Sequence, residues 1–248
     1  MSQVILITGA SRGIGAATAL LAARAGYAVA VNYSANSLAA DEVVRQIRQH
    51  GGSAITVQAD VAEESQVLAM FEKVDAKLGR LTALVNNAGV VDQKARVDGM
   101  SVARLKRMFD INVIGTMVCA REAVKRMSTL YGGAGGAIVN VSSVAARLGA
   151  PGQYVDYAAA KGAVDVFTLG LAKEVATEGI RVNAVRPGII DTDIHASGGL
   201  PDRARQMAPQ VPMQRPGTAE EVARSIVWLL SDDSSYTTGA LLDIGGGR

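Results

Sequence analysis

The sequence predicts an α/β fold: one domain spanning residues 1–248, with a doubly wound parallel sheet and helices on both faces. Three observations carry that reading. Short apolar runs rich in β-formers alternate with longer amphipathic stretches. The runs lack strict polar/apolar alternation, as expected of strands covered on both faces. No Pro/Ser-rich linker, repeat or low-complexity tract divides the chain.

In order along the chain, strands are expected at Val4–Thr8, Ala28–Val31, Ala54–Gln58, Ala83–Asn86, Ala137–Val141, Arg181–Val185 and Ala240–Ile244. Helices are expected near 13–25, 36–50, 63–78, 101–127, 157–177 and 219–230. In the fifth of these, Val164, Phe167, Leu171 and Val175 recur at helical spacing on one face. Strand–helix alternation of this kind gives parallel pairing through right-handed crossovers. Two irregular stretches, 87–100 and 187–218, leave the carboxyl ends of strands four and six, where open parallel sheets bind ligands. The second, rich in Pro and Gly, is long enough to form a lid over residues 191–216.

Composition excludes several classes. At 248 residues the core is large enough to need no disulfide or metal staple. Hydrophobic residues make up 49% and aromatics 4%, so the core must close by near approach of backbones rather than by large rings. The net charge of +2 is dispersed, without the basic block of a nucleic-acid binder. Cys119 is the only cysteine, and His50 and His195 are the only histidines, so no zinc-ligand cluster is expected and the metal-dependent alcohol dehydrogenase mechanism is excluded. No apolar run is long enough to cross a bilayer, and the segment from Met1 to Ile7 lacks the features of an export signal. A cytoplasmic protein is the expectation.

The first strand leads directly into Thr8-Gly9-Ala10-Ser11-Arg12-Gly13-Ile14-Gly15 and an Ala-rich helix. Glycines at such a turn let a pyrophosphate approach the backbone, where unpaired N–H groups and the helix dipole favour an anion. The spacing is G-x-x-x-G-x-G, and turns of this kind also serve simply to pack helix against strand. The second strand ends Val31-Asn32-Tyr33-Ser34, with no acid before Asp41. An acid at the end of that strand would bond the ribose hydroxyls of NAD and repel a 2′-phosphate. Asn32 and Ser34 can instead donate to that phosphate and Arg12 can pair with it, which favours NADP(H) over NAD(H); Arg12 as a solvated surface residue is the alternative.

Tyr157 and Lys161 stand four residues apart on one face of a predicted helix. An ordinary surface pair would look the same. Against it stand the Ala/Gly surroundings, with Gly162 suggesting that something bulky packs there. Ser142-Ser143 at a strand's carboxyl end and a polar Asn112 inside the apolar run Met108–Val113 weigh the same way.

Together these residues resemble the short-chain dehydrogenase/reductase family nearly end to end: the Gly turn at 8–15, Asn86-Asn87-Ala88-Gly89, Asn112, Ser143, Tyr157/Lys161 and Pro187-Gly188 fall in the family's order. The resemblance implies a Rossmann-like sheet in the order 3-2-1-4-5-6-7, hydride transfer at nicotinamide C4 and a homotetramer. It implies cofactor contacts from Gly9, Ser11, Arg12, Gly13, Ile14, Gly15, Asp60, Val61, Asn87, Ala88, Gly89, Tyr157, Lys161, Pro187, Gly188, Ile190 and Thr192. Asp60 could equally be a helix N-cap.

A free tyrosine, with a pKa of about 10, cycles poorly near neutrality; a neighbouring ammonium and the cationic nicotinamide ring are expected to favour the phenolate. Tyr157 is therefore expected to be the general acid/base, with Lys161 its electrostatic partner and ribose ligand. Ser143, rather than Ser142, is expected to bond the substrate oxygen, and Asn112 to hold a water leading protons toward Lys161. Between Ser143 and Tyr157 there is one residue more than the family's common spacing. The substrate pocket is expected to include Ser143, Val144, Tyr154, Val155 and His195. A small carbonyl or alcohol is expected as substrate, either a sugar, polyol or small ketone or a 3-oxoacyl thioester. The thioester would need a basic landing surface for an acidic carrier, and Arg121, Lys125 and Arg126 could form one or could be solvated charges on a helix. A dinucleotide-sensing protein without catalysis is the competing class.

Overall fold

A computed structural model describes residues 3–192, 199–200 and 202–248. Seven strands form one wholly parallel sheet in the order β3-β2-β1-β4-β5-β6-β7. They are β1 (Val4–Ile7), β2 (Ala28–Tyr33), β3 (Ala54–Gln58), β4 (Ala83–Asn86), β5 (Gly136–Val141), β6 (Ile180–Pro187) and β7 (Leu241–Ile244). The helices are α1 (Gly13–Arg24), α2 (Ser37–Gln49), α3 (Glu64–Leu78), α4 (Val102–Phe109), α5 (Gly115–Met127), α6 (Ala145–Leu148), α7 (Val155–Val175), α8 (Arg203–Met207) and α9 (Ala219–Leu230). None is long and apolar enough to cross a membrane.

The two-sided burial expected from the strand sequences is realised by the period-2 geometry of a strand. Ile5, Ile7, Val29 and Val31 pack on one face against α1, α2 and α9, with Val43, Ile47, Val222 and Ile226 among the facing side chains. Leu6, Ala30, Leu84 and Ile138 turn to the other face, meeting Val67, Phe71, Cys119 and Val175 from α3, α5 and α7. Full burial of each large aliphatic is worth about 1.5–3 kcal/mol. The start of α9 is fixed by a reciprocal cap: the Thr218 hydroxyl accepts from the Glu221 N–H, and the Glu221 carboxylate accepts from the Thr218 N–H.

Three departures from the sequence reading bear on the site. The helix expected over 101–127 is two helices joined by a π turn at Asp110–Ile114, centred on Asn112. Helix α7 begins at Val155, two residues before the expected start. A Cβ on Gly162 would meet nothing within 4 Å among the described residues, so none of them accounts for that glycine.

Candidate active site

Because the strands are parallel, the segments after β1, β4, β5 and β6 emerge at one edge, and the chain order reverses between β1 and β4, where open sheets bind ligands. There the Gly turn is held from both sides. Asn32, buried at the end of β2, accepts from the Gly9 N–H at 3.0 Å through Oδ1. Asn87, just after β4, donates through Nδ2 to the carbonyls of Thr8 and Gly9, both at 2.9 Å. The Thr8 hydroxyl accepts from the N–H groups of Asn87 and Ala88. Gly15 has to be glycine, since a Cβ there would lie 2.6 Å from the Gly9 carbonyl oxygen. Helix α1 has no side-chain cap and no acid in its first turn, so its N-terminal dipole faces a cleft of about 350 Å³. Gly9, Ser11, Arg12, Gly13, Ile14, Asn32, Ser34, Asp60, Val61, Asn87, Ala88, Gly89 and Thr192 line this cleft. An uncapped helix start and an acid-poor rim fit a dinucleotide's pyrophosphate.

Two cofactor expectations change in detail. The Asn32 amide donates to the carbonyls of Val57 and Ala59 at 3.2 and 3.1 Å, so it is engaged inside the fold and does not reach out as a donor to a 2′-phosphate. Asp60 does not cap α3; Glu63 occupies the cap position, and the Asp60 carboxylate accepts from the Ala62 N–H within its own turn.

A second cleft, of about 360 Å³, adjoins the first through Ile14, Asn87, Gly89, Ile190 and Thr192, the first three and Thr192 belonging to both. Tyr157, Ser143 and Lys161 all line it, as do Pro187 and Gly188. Helix α7 places Tyr157 and Lys161 one turn apart. The Lys161 ammonium donates to the Val141 carbonyl at 2.8 Å and lies 5.6 Å from the centroid of the Tyr157 ring. Ser142 lines the same cleft, with its hydroxyl engaged in donating to the Lys161 carbonyl at 3.2 Å. The Ser143 hydroxyl accepts from the Ala145 N–H at 3.1 Å and donates to the Pro187 carbonyl at 3.5 Å. Both serines therefore stand at the cleft, Ser142 with its proton committed to the backbone of α7.

In the protein alone, burial governs the electrostatics of the pair. Burial pushes the Tyr157 phenol up to about 12, with only the Ser143 hydroxyl opposing it. Burial also brings Lys161 down to about 8, with Asp165 opposing. Both charged forms lose their hydration, and in the free protein this outweighs mutual assistance.

Asn112 is fully buried. Its amide donates to the carbonyls of Val90 and Met108, and its Oδ1 accepts from the Val90 N–H. The side chain therefore ties the segment after β4 to the π turn, and it approaches Lys161 across Gly89, where a Cβ would lie 2.7 Å from Asn112 Oδ1 and 3.4 Å from Lys161 Nζ.

Val144 and Tyr154 line the substrate-side cleft as expected; Val155 does not. It is one residue, or about 100° of helix, past the face shared by Tyr154 and Tyr157. His195 lies outside the described residues. Gln153, in the segment that carries the extra residue before Tyr157, lines the cleft too; sequence reading passed over Leu148, Ile189, Arg203 and Met207, which also line it. Gln153 Oε1 is buried without a hydrogen-bond partner. It also passed over Arg104, whose guanidinium clasps the buried Asp156 carboxylate at 2.7 and 3.2 Å, immediately before Tyr157 in the chain. The extra residue between Ser143 and Tyr157 was a signal pointing to this segment, but the partners come from distant parts of the sequence. Among the described residues no group of three or more His, Cys, Asp or Glu could hold a metal. Cys119 is buried under the sheet, its thiol pushed up to about 12 by burial.

A phenol, a hydroxyl and an amine around one cleft, opening onto an anion-binding helix start at the switch point of a parallel sheet, define the class: a dinucleotide-dependent oxidoreductase. Residues 9–248 match the family model described as enoyl-(acyl carrier protein) reductase. The chain is 57% identical over 245 residues to the uncharacterized oxidoreductase YgfF of Escherichia coli, covering 99% of both chains. It is 42% identical over 248 residues to a cis-4-hydroxycyclohexanecarboxylate dehydrogenase of Sinomonas cyclohexanicum, covering 99% of this chain and 96% of the other. It is 40% identical over 247 residues to a 3-oxoacyl-[acyl-carrier-protein] reductase of Synechocystis, again covering 99% and 96%. Its fold matches the crystal structure of a dehydrogenase/reductase from Sinorhizobium meliloti at a TM-score of 0.91 and 31% identity, over 99% of this chain and 94% of that one. The protein belongs to the short-chain dehydrogenase/reductase family, whose members are oxidoreductases acting on CH–OH and C=O groups.

Proposed function

We propose that the protein interconverts a small ketone and its secondary alcohol with NADP(H), with Tyr157 as the acid/base residue. The observation that carries the reading is the convergence of Ser143, Tyr157 and Lys161 on one cleft that adjoins the dinucleotide cleft. The bound nicotinamide supplies a hydride at C4 for reduction and accepts one in the reverse direction. Tyr157, its phenol held protonated by burial, gives its proton to the carbonyl oxygen as the alkoxide forms, while Ser143 donates a hydrogen bond to that oxygen. Lys161 holds the cofactor ribose and returns a proton toward Tyr157, and Asn112 keeps the floor beneath Lys161 in place and carries the water at the outer end of this route. Gly9 through Gly15, Asn87 through Gly89, Asp60 and Val61 receive the dinucleotide, and Pro187, Gly188, Ile190 and Thr192 receive its nicotinamide end. Arg12 and Ser34, on the rim of the dinucleotide cleft, support NADP(H) over NAD(H).

For the substrate, walls of Val144, Leu148, Pro151, Ile189 and Met207 favour a compact alicyclic or aliphatic ketone over a polyol, which would leave its hydroxyls without partners. The similarity to a hydroxycyclohexanecarboxylate dehydrogenase supports this. The carrier-linked thioester is the second reading, favoured by similarity to an acyl-carrier-protein reductase. Against it, the expected landing residues face acids: Arg121 pairs with Glu64 and Glu122, Lys125 with Glu122, and Arg126 with Asp75 and Glu122. A cytoplasmic homotetramer is proposed, in which the exposed Val102, Ile114, Val166, Leu169 and Trp228 would find cover; native mass measurement tests the assembly. Absorbance at the reduced-nicotinamide band, read over ketones, polyols and oxoacyl thioesters, tests the activity. Tyr157→Phe is expected to lower kcat by about 10²–10⁴ with little change in NADPH affinity. Residual activity near wild type would remove Tyr157 from the role.

A further inference from the structure

The substrate-side cleft holds three cationic side chains and no acid among the described residues that line it. One cation is Lys161. Another, Arg203, opens the short helix α8, its guanidinium carbon 5.2 Å from the centroid of the Tyr154 ring. Neighbouring arginines are neutralised: Arg104 by Asp156, Arg186 by Asp165, Arg147 by Asp243. Arg203 pairs with no acid among the described residues and stands half-buried over an aromatic face that orients its plane. The third, Arg248, lines the same cleft.

We propose that Arg203 is the specificity residue for a carboxylate, and that the substrates are oxo acids and their hydroxy-acid partners; the proposal rests on the oxidoreductase reading above. A guanidinium fork matches a carboxylate with two parallel hydrogen bonds, and no acid among the described residues lining the cleft competes for it. The geometry also sets where the carboxylate lies. Tyr154 is the cap residue of α7, and Tyr157 follows three residues on, in the first turn. An arginine stacked on Tyr154 is thus displaced from the reacting hydroxyl of Tyr157 by an aromatic ring as well as a helical turn. It fits an acid whose carboxylate is several bonds from the carbonyl, as across a six-membered ring, and not a 2-oxo acid.

The experiment compares 4-oxocyclohexanecarboxylate, its methyl ester and a 2-oxo acid of similar size as substrates of the intact enzyme with NADPH. Unreactive cyclohexanecarboxylate is tested as a ligand by thermal shift. The free acid is expected to exceed ester and 2-oxo acid roughly 10- to 100-fold in kcat/KM, mostly through KM. Arg203→Met should bring the acid down to the ester, Arg203→Lys should restore part of the preference, and Arg224→Met, the same charge change on the far exposed face of α9, should keep it all. An ester reduced as well as the acid, or Arg203→Met weakening NADPH binding instead, overturns the assignment. If none of the three ketones is reduced, the ketone reductase reading fails as well, while turnover without preference sinks only the role of Arg203. In either event, cyclohexanecarboxylate binding that does not depend on Arg203 overturns the proposal.

Discussion

Removing Arg104 should destabilise the protein through the carboxylate it leaves behind. The Asp156 side chain is wholly buried and the Arg104 side chain 11% exposed, so their ion pair has little solvent to screen it. Arg104 also donates to the Gln93 carbonyl at 2.6 Å, linking α4, the segment after β4 and the first turn of α7. Breaking one side of such a pair costs about 3–5 kcal/mol, because the remaining charge is buried without compensation. For a chain of this size each kcal/mol moves Tm by about 2–4 °C, so Arg104→Met is expected to lower Tm by roughly 6–20 °C. Asp156→Asn retains the shape but not the charge and should cost less. The double variant Arg104→Met/Asp156→Leu should recover most of the loss, since replacing both partners of a buried pair is often near neutral. The assay is thermal and urea denaturation at one fixed protein concentration. Arg104→Met costing under 1 kcal/mol, or a double variant as unstable as the sum of the singles, would refute the reasoning.

The remaining predictions concern the two clefts. Asn32→Asp is expected to act on stability: it loses both donations, to Val57 and Ala59, and sets a carboxylate against two carbonyls, at a cost of about 2–5 kcal/mol; an unchanged melting curve would contradict this. Arg12→Ala should raise KM for NADPH about tenfold more than KM for NADH, whereas equal changes would place Arg12 away from the 2′-phosphate. Lys161, brought down to about 8 in the free protein, is an ammonium below that pH and an amine above it. NADPH affinity, followed by fluorescence titration, should therefore fall as pH rises through about 8, and Lys161→Met should flatten the profile; a wild-type profile flat from pH 7 to 9 would refute it. Gln153→Met removes a buried oxygen that has no partner, so Tm should hold or rise while KM for the ketone changes. A Tm lower by several degrees would mean that Gln153 is structural.

The sheet was legible because its causes are local: two-sided burial removes polar alternation from each strand, and parallel connection demands a helix between successive strands. All seven strands lie where the apolar runs put them, with ends moved by one or two residues. That Tyr157 and Lys161 share a helix face and a cleft was legible for the same reason, since they are related by one helical turn. What the sequence hid is non-local. Nothing in the run Met108–Val113 distinguishes a π turn from a continued α-helix; Asn112 is held there by Val90, which arrives from the segment after β4. Asn32 reads as a free polar end of a strand until the register of β2 on β3 turns its amide toward Val57 and Ala59. Arg203 lies 46 residues beyond Tyr157 in an irregular stretch, and only the fold lays it over Tyr154.

The protonation states of the central pair follow from this burial and constrain how the site can work. A phenolate in the free protein would be reactive but unsolvated, and the fold does not support it: the proton stays on Tyr157 up to about 12. A protonated phenol would be poised to deliver a proton to a carbonyl, as the proposed reduction requires. Oxidation of an alcohol requires the phenol to release its proton first, and the cationic ring of an oxidised nicotinamide is the charge that would assist. The pH optimum for oxidation should therefore lie above that for reduction. Steady-state kcat/KM profiles measured in both directions on one ketone–alcohol pair decide it, and coincident optima would mean that another group carries the proton.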